Sequence, residues 1–278
     1  MIDPIETLAV DPSRPCKLIQ ISDLHLPALR QQRYRDRDVE QQLITVLQHI
    51  GQHHADLDAL LLTGDLVHHG HADSYRRLAG YLESLGKPWY WIAGNHDSLV
   101  DMQRVRPDHP HVLCCNGWRI LLLDSTSAGD GLGSGSLADS ELQRLQYQLQ
   151  AAQQTGESLL LVLHHNPLPL QSAWQDAIML ANAEHFWELL ERFSLPITVL
   201  YGHVHQVWQQ FHNNVSLLSC PATSVQFARG QQQLMIETEG EDALPGYRWL
   251  TLSPGAALDQ TNTIHAGLET GIARVSLA

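Results

Sequence analysis

No apolar run in this chain approaches the ~20 residues that a membrane-spanning helix requires, so a membrane protein of that kind is not expected. The first six residues, Met1-Ile2-Asp3-Pro4-Ile5-Glu6, are acidic and lack the apolar centre of a signal peptide. Basic residues are scarce. There are 17 Lys and Arg against 30 Asp and Glu, a formal charge of −13, which argues against a general affinity for nucleic acid or anionic membrane. A small anionic substrate is still allowed, because bound cations invert the local field. Four cysteines, Cys16, Cys114, Cys115 and Cys220, have neither metal-ligand spacing nor the density of a disulfide framework. They read as reduced, buried thiols of a cytoplasmic protein, with Cys114 and Cys115 on opposite faces of a strand. There is no linker, internal repeat or low-complexity segment.

What is present is a chain of 278 residues, 44% hydrophobic, enough for a sizeable core. It reads as a single domain over 1–278, its motif-bearing part at about 16–220 and a tail of short strands from 221. Residues 1–15, with three prolines, read as an irregular lead-in. Strands are expected over 16–22, 57–63, 88–93, 158–163 and 196–201. Between them come helices opened by Asp38 (with Gln41 three residues on), by Asp73-Ser74, by Asp139 and by Ala183. Asn116-Gly117 between two apolar runs predicts a tight hairpin, Asn213-Asn214 a second one, and the Gly- and Ser-rich residues 125–136 a surface loop. Alternating strands and helices with added hairpins indicate an α/β layered fold, in which sites form beyond the carboxyl ends of the strands.

Five of the apolar runs end in residues able to bind a metal: Asp23-Leu24-His25, Gly64-Asp65, Gly94-Asn95, His164-His165 and Gly202-His203-Val204-His205. Any one has an ordinary explanation as a cap, a turn residue or a core histidine, and 17 histidines guarantee some coincidence. All five together are a different matter. Asp23, His25, Asp65, Asn95, His164, His203 and His205 are too many ligands for one tetrahedral ion. They suit two ions about 3.5–4 Å apart sharing Asp65, the arrangement that clamps both oxygens of a phosphoryl displacement. Two divalent ions against Asp23, Asp65 and one bridging hydroxide leave a positive excess for a phosphodiester monoanion. An aspartate in place of Asn95 would erase it.

These motifs, with Gly94-Asn95-His96-Asp97 and in this order, resemble the calcineurin-like metallophosphoesterase superfamily over about residues 18–205. Asn166-Pro167-Leu168-Pro169, Ser172-Ala173-Trp174, Val225-Gln226-Phe227 and Pro245-Gly246-Tyr247-Arg248-Trp249 further resemble the bacterial class III 3′,5′-cyclic AMP phosphodiesterases. The resemblance implies a four-layer α/β/β/α sandwich. It implies iron at one site, held by Asp23, His25, Asp65 and His205, and iron, manganese or another divalent ion at a second, held by Asp65, Asn95, His164 and His203. The expected reaction is in-line attack of metal-bound hydroxide on a small cyclic nucleotide, by a monomer or homodimer with no nucleic-acid or membrane partner. Substrate contacts are expected from His25, Asp65, Asn95, His96, His164, His165 and His205, with His96 as proton donor to the leaving oxygen and Asp97 orienting it. Asn166 departs from the His or Pro common in the family at that place.

Other features read as incidental. His68-His69-Gly70-His71 is taken as a loop beside the substrate, His53-His54 as residues suited to a helix end, and Trp89 and Trp91 as core. Phe227 is either core or, by resemblance, a platform for adenine. Competing functions are hydrolysis of another small diester, a metal-free scaffold on the same fold, and a structural metal protein. The oxygen- and imidazole-rich ligand set is unlike a closed, Cys-rich structural site.

Overall fold

The computed structural model describes residues 5–254 and 267–277; residues 1–4, part of the stretch read against a signal peptide, lie outside them, as does 255–266 of the tail. Two sheets form the centre. The first has the order β12-β11-β2-β3-β4, from β2 (Cys16–Ile21), β3 (Ala59–Thr63), β4 (Trp89–Ile92), β11 (Gly246–Leu252) and β12 (Leu268–Arg274). The second has the order β1-β5-β6-β7-β8-β10-β9. Its strands are β1 (Ile5–Thr7), β5 (Val112–Cys115), β6 (Trp118–Leu122), β7 (Ser158–Leu163), β8 (Ile197–Tyr201), β9 (Gln209–His212) and β10 (Val215–Ser219). The helices are α1 (Val39–His53), α2 (Ala72–Glu83), α3 (Leu99–Val105), α4 (Asp139–Thr155), α5 (Ala173–Asp176) and α6 (Ala183–Leu190). None of the described helices is long and apolar enough to cross a membrane.

The layering follows from the two-residue period of the strands. Ile19, Ile21, Leu60, Leu62, Trp89 and Trp91 face outward and pack with Leu43, Val46, Tyr75 and Leu78 of α1 and α2. Residues one step out of phase, Leu18, Leu61 and Tyr90, face inward and meet Trp118, Ile120, Leu160, Val162 and Leu200 of the second sheet. On that sheet's far side Leu159, Leu161, Leu163 and Val199 pack with Leu145, Leu149, Phe186 and Leu190 of α4 and α6. The order is helix, sheet, sheet, helix: the expected four-layer sandwich. Strands buried on both faces explain the near-continuous apolar runs.

Local signals held where they had a specific mechanism. The Asp38 side chain caps α1 by accepting from the Gln41 amide at 3.1 Å. Asn116 and Gly117 both have positive φ, 48° and 81°, and join β5 to β6 in an antiparallel pair. Trp89 and Trp91 share the helix-facing side, rings 4.9 Å apart. Other expectations need correction. The lead-in contains a strand, β1, which pairs parallel with β5 through Ile5 and Val112. It takes its structure from a partner over a hundred residues away, which local pattern cannot show. Helix α2 begins at Ala72 after His71, without a side-chain cap, rather than at Asp73. Helices α3 and α5 are too short to show a period. The second hairpin is present, but β10 also pairs parallel with β8.

Strand β4 is a free edge of its sheet, and one exposed amide is covered: Trp91 N–H donates to His109 Nε2 at 3.0 Å. His109 must be neutral to accept. Burial, then the Arg106 charge, pushes its pKa down to about 3. The unfolded chain holds its histidines near 6.5, so the stability carried by this contact is complete above that value and drains as pH falls toward 3. His109→Gln, which can still accept, should show a shallower drop in urea midpoint between pH 7 and 4.5 than the parent. An identical pH slope would contradict this.

Candidate active site

The parallel strands β2 and β3 of the first sheet and β7 and β8 of the second end at one side of the molecule. Just past their ends lie Asp23, His25, Asp65, His164, His203 and His205, all buried, with half-buried Asn95 after β4. The backbone there is unusual. Asp23, His25, Asp65, His203 and His205 all have positive φ, between 49° and 69°, a conformation costing about 1–3 kcal/mol for each non-glycine residue. It is held by loop-to-loop pairing: Asp23 N–H donates to Gly64 O at 3.0 Å and His25 N–H to Asp65 O at 2.9 Å. Strained backbone at five ligand-type side chains is a mark of a site rather than of a core.

The glycines before these residues have a steric reason. A Cβ on Gly94 would lie 2.3 Å from Asp65 Oδ1, and one on Gly202 would lie 2.2 Å from Ser22 Oγ and 2.5 Å from Thr63 O. The loops touch backbone to backbone, which brings the side chains within reach of each other.

Asp65 is at the centre. Its Oδ2 lies 3.5 Å from His25 Nε2, and its Oδ1 lies 3.5 Å from His164 Nε2. On the first side, Asp23, His25, Asp65 and His205 form a compact group: His25 Nε2 is 3.1 Å from His205 Nε2, which is 3.4 Å from Asp23 Oδ1. On the second, His164 Nε2 is 3.2 Å from Asn95 Oδ1, and the His164 and His203 rings are 5.0 Å apart. Three imidazoles donate their outer N–H to backbone carbonyls: His205 Nδ1 to Val225 at 2.6 Å, His164 Nδ1 to Thr63 at 2.8 Å, and His203 Nε2 to Ile178 at 3.0 Å. Each carbonyl fixes a tautomer and leaves the inner nitrogen with a bare lone pair, as metal-ligating histidines require. The His203 amide donates to both Asp23 oxygens, at 3.0 and 3.1 Å.

This donor set fits cations. Lone pairs and carboxylate oxygens converge at 3.1–3.5 Å, close to the edge of about 3.3 Å expected of a tetrahedron with metal–nitrogen bonds near 2.05 Å. Without a cation the charges strain against each other. Burial pushes His25 and His203 well below the usual imidazole range. Burial also opposes charge on His164, but Asp65 and Asp23 outweigh it and lift this ring to about 9. Asp65, which burial would raise, is held well below the carboxylate range by His164 and His25.

The remaining expected residues divide. His96 belongs to the site: its amide donates to Asp65 Oδ1 at 2.9 Å and its ring sits 5.0 Å from that of His25. Asp97 does not orient it. The Asp97 carboxylate accepts from the Leu66, Val67 and Gly94 amides at 3.0, 3.0 and 2.9 Å and from the Tyr75 hydroxyl at 2.9 Å. It therefore ties the loops after β3 and β4 together. His165 is not placed to touch substrate either. It is buried behind His164, with Nδ1 taken by Ser125 Oγ at 2.8 Å and Nε2 donating to Gly133 O at 3.1 Å. Asn166 is fully buried, donates from Nδ2 to Leu168 O at 2.7 Å and does not line the cavity over the cluster, so its departure from the family pattern falls outside that cavity. Phe227 stacks on His205, centroids 4.1 Å apart, and Trp174 meets it edge-on; it backs a ligand-type ring and also lines the cavity over the cluster.

The reading of His68 and His69 as incidental also changes. His68 Nδ1 lies 3.3 Å from His25 Nδ1, and His69 Nε2 lies 3.3 Å from His96 Nδ1. His71 does no more than precede α2. A cavity of about 400 Å³ opens over the cluster, its outer wall built by Tyr34, Arg35, Leu132, Trp174 and Leu234. Tyr34 stacks on His25 at 4.3 Å. None of these wall residues ends a strand, and only Trp174 falls in a motif that the family resemblance had marked.

The sequence matches the family model described as calcineurin-like phosphoesterase over residues 16–207. It is 35% identical over 241 residues to the 3′,5′-cyclic adenosine monophosphate phosphodiesterase CpdA of Vibrio vulnificus, covering 85% of each chain. It is 34% identical over 262 residues to the protein of the same name from Pseudomonas aeruginosa, covering 93% of this chain and 89% of that one. The fold is similar to that of a dimetal phosphatase from Danio rerio, with a TM-score of 0.65 at 13% identity over 95% of this chain and all of that one.

The close approach at Gly202 is directly testable. Gly202→Ala must displace Ser22, the Thr63 carbonyl or Asp23, whose Oδ2 would lie 3.1 Å from the new methyl group. A cost of about 1–3 kcal/mol is expected for such overpacking, seen as a fall in Tm of several degrees by calorimetry. An unchanged Tm would mean that the loops are not in contact as described.

Proposed function

The chain belongs to the calcineurin-like phosphoesterase family, and on that premise we propose that it is a binuclear-metal phosphodiesterase opening 3′,5′-cyclic AMP to 5′-AMP. The observation that carries the reading is the two-sided Asp65 carboxylate, with a group of donors on each of its oxygens. Relatives named as cyclic AMP phosphodiesterases, similar over most of their length, support the substrate. Asp23, His25, Asp65 and His205 would hold one ion, iron; Asp65, Asn95, His164 and His203 would hold the other, iron, manganese or another divalent ion. When bound, the pair supplies Lewis-acid charge and a water acidic enough to serve as nucleophile near neutral pH.

The protein's own residues do the rest. The neutral Asn95 amide leaves the centre with a positive excess, so a diester monoanion is drawn in. The cavity of about 400 Å³ is within the size range of small-ligand sites. The substrate oxygens contact the faces of His25, Asp65, Asn95 and His205 that line this cavity, which His164 does not. His96 stands beside the cluster, and burial depresses the charge on its ring. It gives a proton from Nε2 to the departing ribose 3′-oxygen, a poor leaving group that needs one.

A second reading, hydrolysis of another small diester, has one observation in its favour. A further cavity of about 470 Å³ adjoins the first across Asn95, His96, Leu132 and Gly133, and could take a second ester substituent. A panel of diesters, including 2′,3′-cyclic nucleotides and glycerophosphodiesters, separates the two.

Protein stripped with chelator and reconstituted with iron or manganese should convert cyclic AMP to 5′-AMP, and the stripped protein should not. Release of 3′-AMP, or equal turnover with and without metal, would overturn the proposal. His96→Ala should slow cyclic AMP turnover by about 10²–10⁴-fold and harm a nitrophenyl phosphodiester much less, since nitrophenolate leaves without a proton. In Asp65→Ala, metal analysis should find both ions lost; retention of one full equivalent would deny the bridging role.

A further inference from the structure

We infer that His69 is a positioning residue for His96: it fixes which ring nitrogen of His96 carries the proton given to the leaving oxygen. This rests on the role proposed above for His96 and adds a residue to that site. The contact is His96 Nδ1 to His69 Nε2, 3.3 Å, with the rings 4.8 Å apart and nearly perpendicular. That places one nitrogen of each ring against the other. His69 reaches this position from a left-handed backbone, φ 51°, which is uncommon for a residue with a side chain. Its other neighbour, His68, packs 4.6 Å from both rings and hydrogen-bonds toward His25. His69 is exposed and lines the second cavity beside His96, so water reaches it while His96 is half-buried.

The chemistry follows from the single Nδ1 contact. His69 accepts the Nδ1–H of His96, so the resting neutral ring has its lone pair on Nε2, which takes a proton from solvent; in the imidazolium so formed the hydrogen free to move is the one on Nε2, on the far side of the ring. In the transfer, the Nε2–H bond breaks, an O–H bond forms at the ribose 3′-oxygen, and the N–H electron pair stays on Nε2. The positive charge of the ring cancels the negative charge developing on oxygen. His96 is left as the neutral Nδ1–H tautomer, still bonded to His69. An imidazole held through one nitrogen so that the other can exchange protons needs such a partner, which in serine hydrolases is a carboxylate. Here the Asp97 carboxylate is committed to loop amides and the Tyr75 hydroxyl, and His69 takes the place.

The test uses the full-length, metal-reconstituted protein and two substrates, cyclic AMP and the nitrophenyl ester of thymidine 5′-phosphate. His69→Ala should lower kcat on cyclic AMP about 10–100-fold with KM within about two-fold, and change kcat on the nitrophenyl ester by less than about three-fold. His69→Gln, whose side-chain oxygen can accept the same N–H, should recover most of the loss. Adding His69→Ala to His96→Ala should cost nothing more. Nitrogen-15 NMR of the unreacted protein, at a pH where the His96 ring is neutral, should show His96 as the Nδ1–H tautomer in the parent and in His69→Gln, and a tautomer mixture in His69→Ala. Equal losses on both substrates, additive effects in the double variant, or an unchanged tautomer in His69→Ala would overturn the inference and leave the role of His96 standing. If His96→Ala itself treats the two substrates alike, the acid role and this inference fall together.

Discussion

A single buried carboxylate, presenting one oxygen to each of two groups of donors, is the constraint on which the rest of this molecule depends. Asp65 has His25 on one side and His164 on the other, and these come from different sheets. Buried carboxylates and imidazoles are costly to bring together without compensation. The compensation is specific: backbone carbonyls that fix three tautomers and the His203 amide that bonds both Asp23 oxygens, with the proposed cations neutralising what is left. Five left-handed residues and glycines tolerating contacts that a methyl group could not make are the conformational cost of that convergence. Stability is supplied elsewhere, by the three apolar layers around the two sheets.

The fold explains why the convergence is possible. Parallel strands in a layered α/β structure deliver their carboxyl ends to one side, and the turns that follow them are free to carry function. Here two sheets contribute, so ligands arrive from opposing directions and enclose a volume instead of lining a crevice. The wall over them comes from chain that is not part of either sheet: the loop bearing Tyr34 and Arg35, the 125–136 loop tied down through His165 and Gly133, and the segment around Trp174 and Phe227.

Much of this was legible in the sequence, for a physical reason. A strand buried on both faces leaves a long apolar run, and a site built at strand ends puts polar residues directly after it, so Asp23, Asp65, Asn95, His164 and His203 stood out against their flanks. The Asn116-Gly117 turn and the Asp38 cap were legible because each is a local requirement of one or two residues. What was not legible depends on distant partners. β1 is a strand because of β5, and α3 and α5 are too short to carry a period. Asp97 and His165 have the right chemistry beside the right motif, but neighbours from other loops occupy their polar atoms. His68 and His69 were visible as a run of histidines. Only the folded chain shows that they reach His25 and His96.

The most direct measurement of the central claim is the position of metal in a crystal of the reconstituted protein, located by anomalous scattering. The account predicts two peaks about 3.5–4 Å apart, one on each side of the Asp65 carboxylate. The first should lie among Asp23, His25 and His205, and the second among Asn95, His164 and His203. A single peak, or two that do not share Asp65, would contradict it.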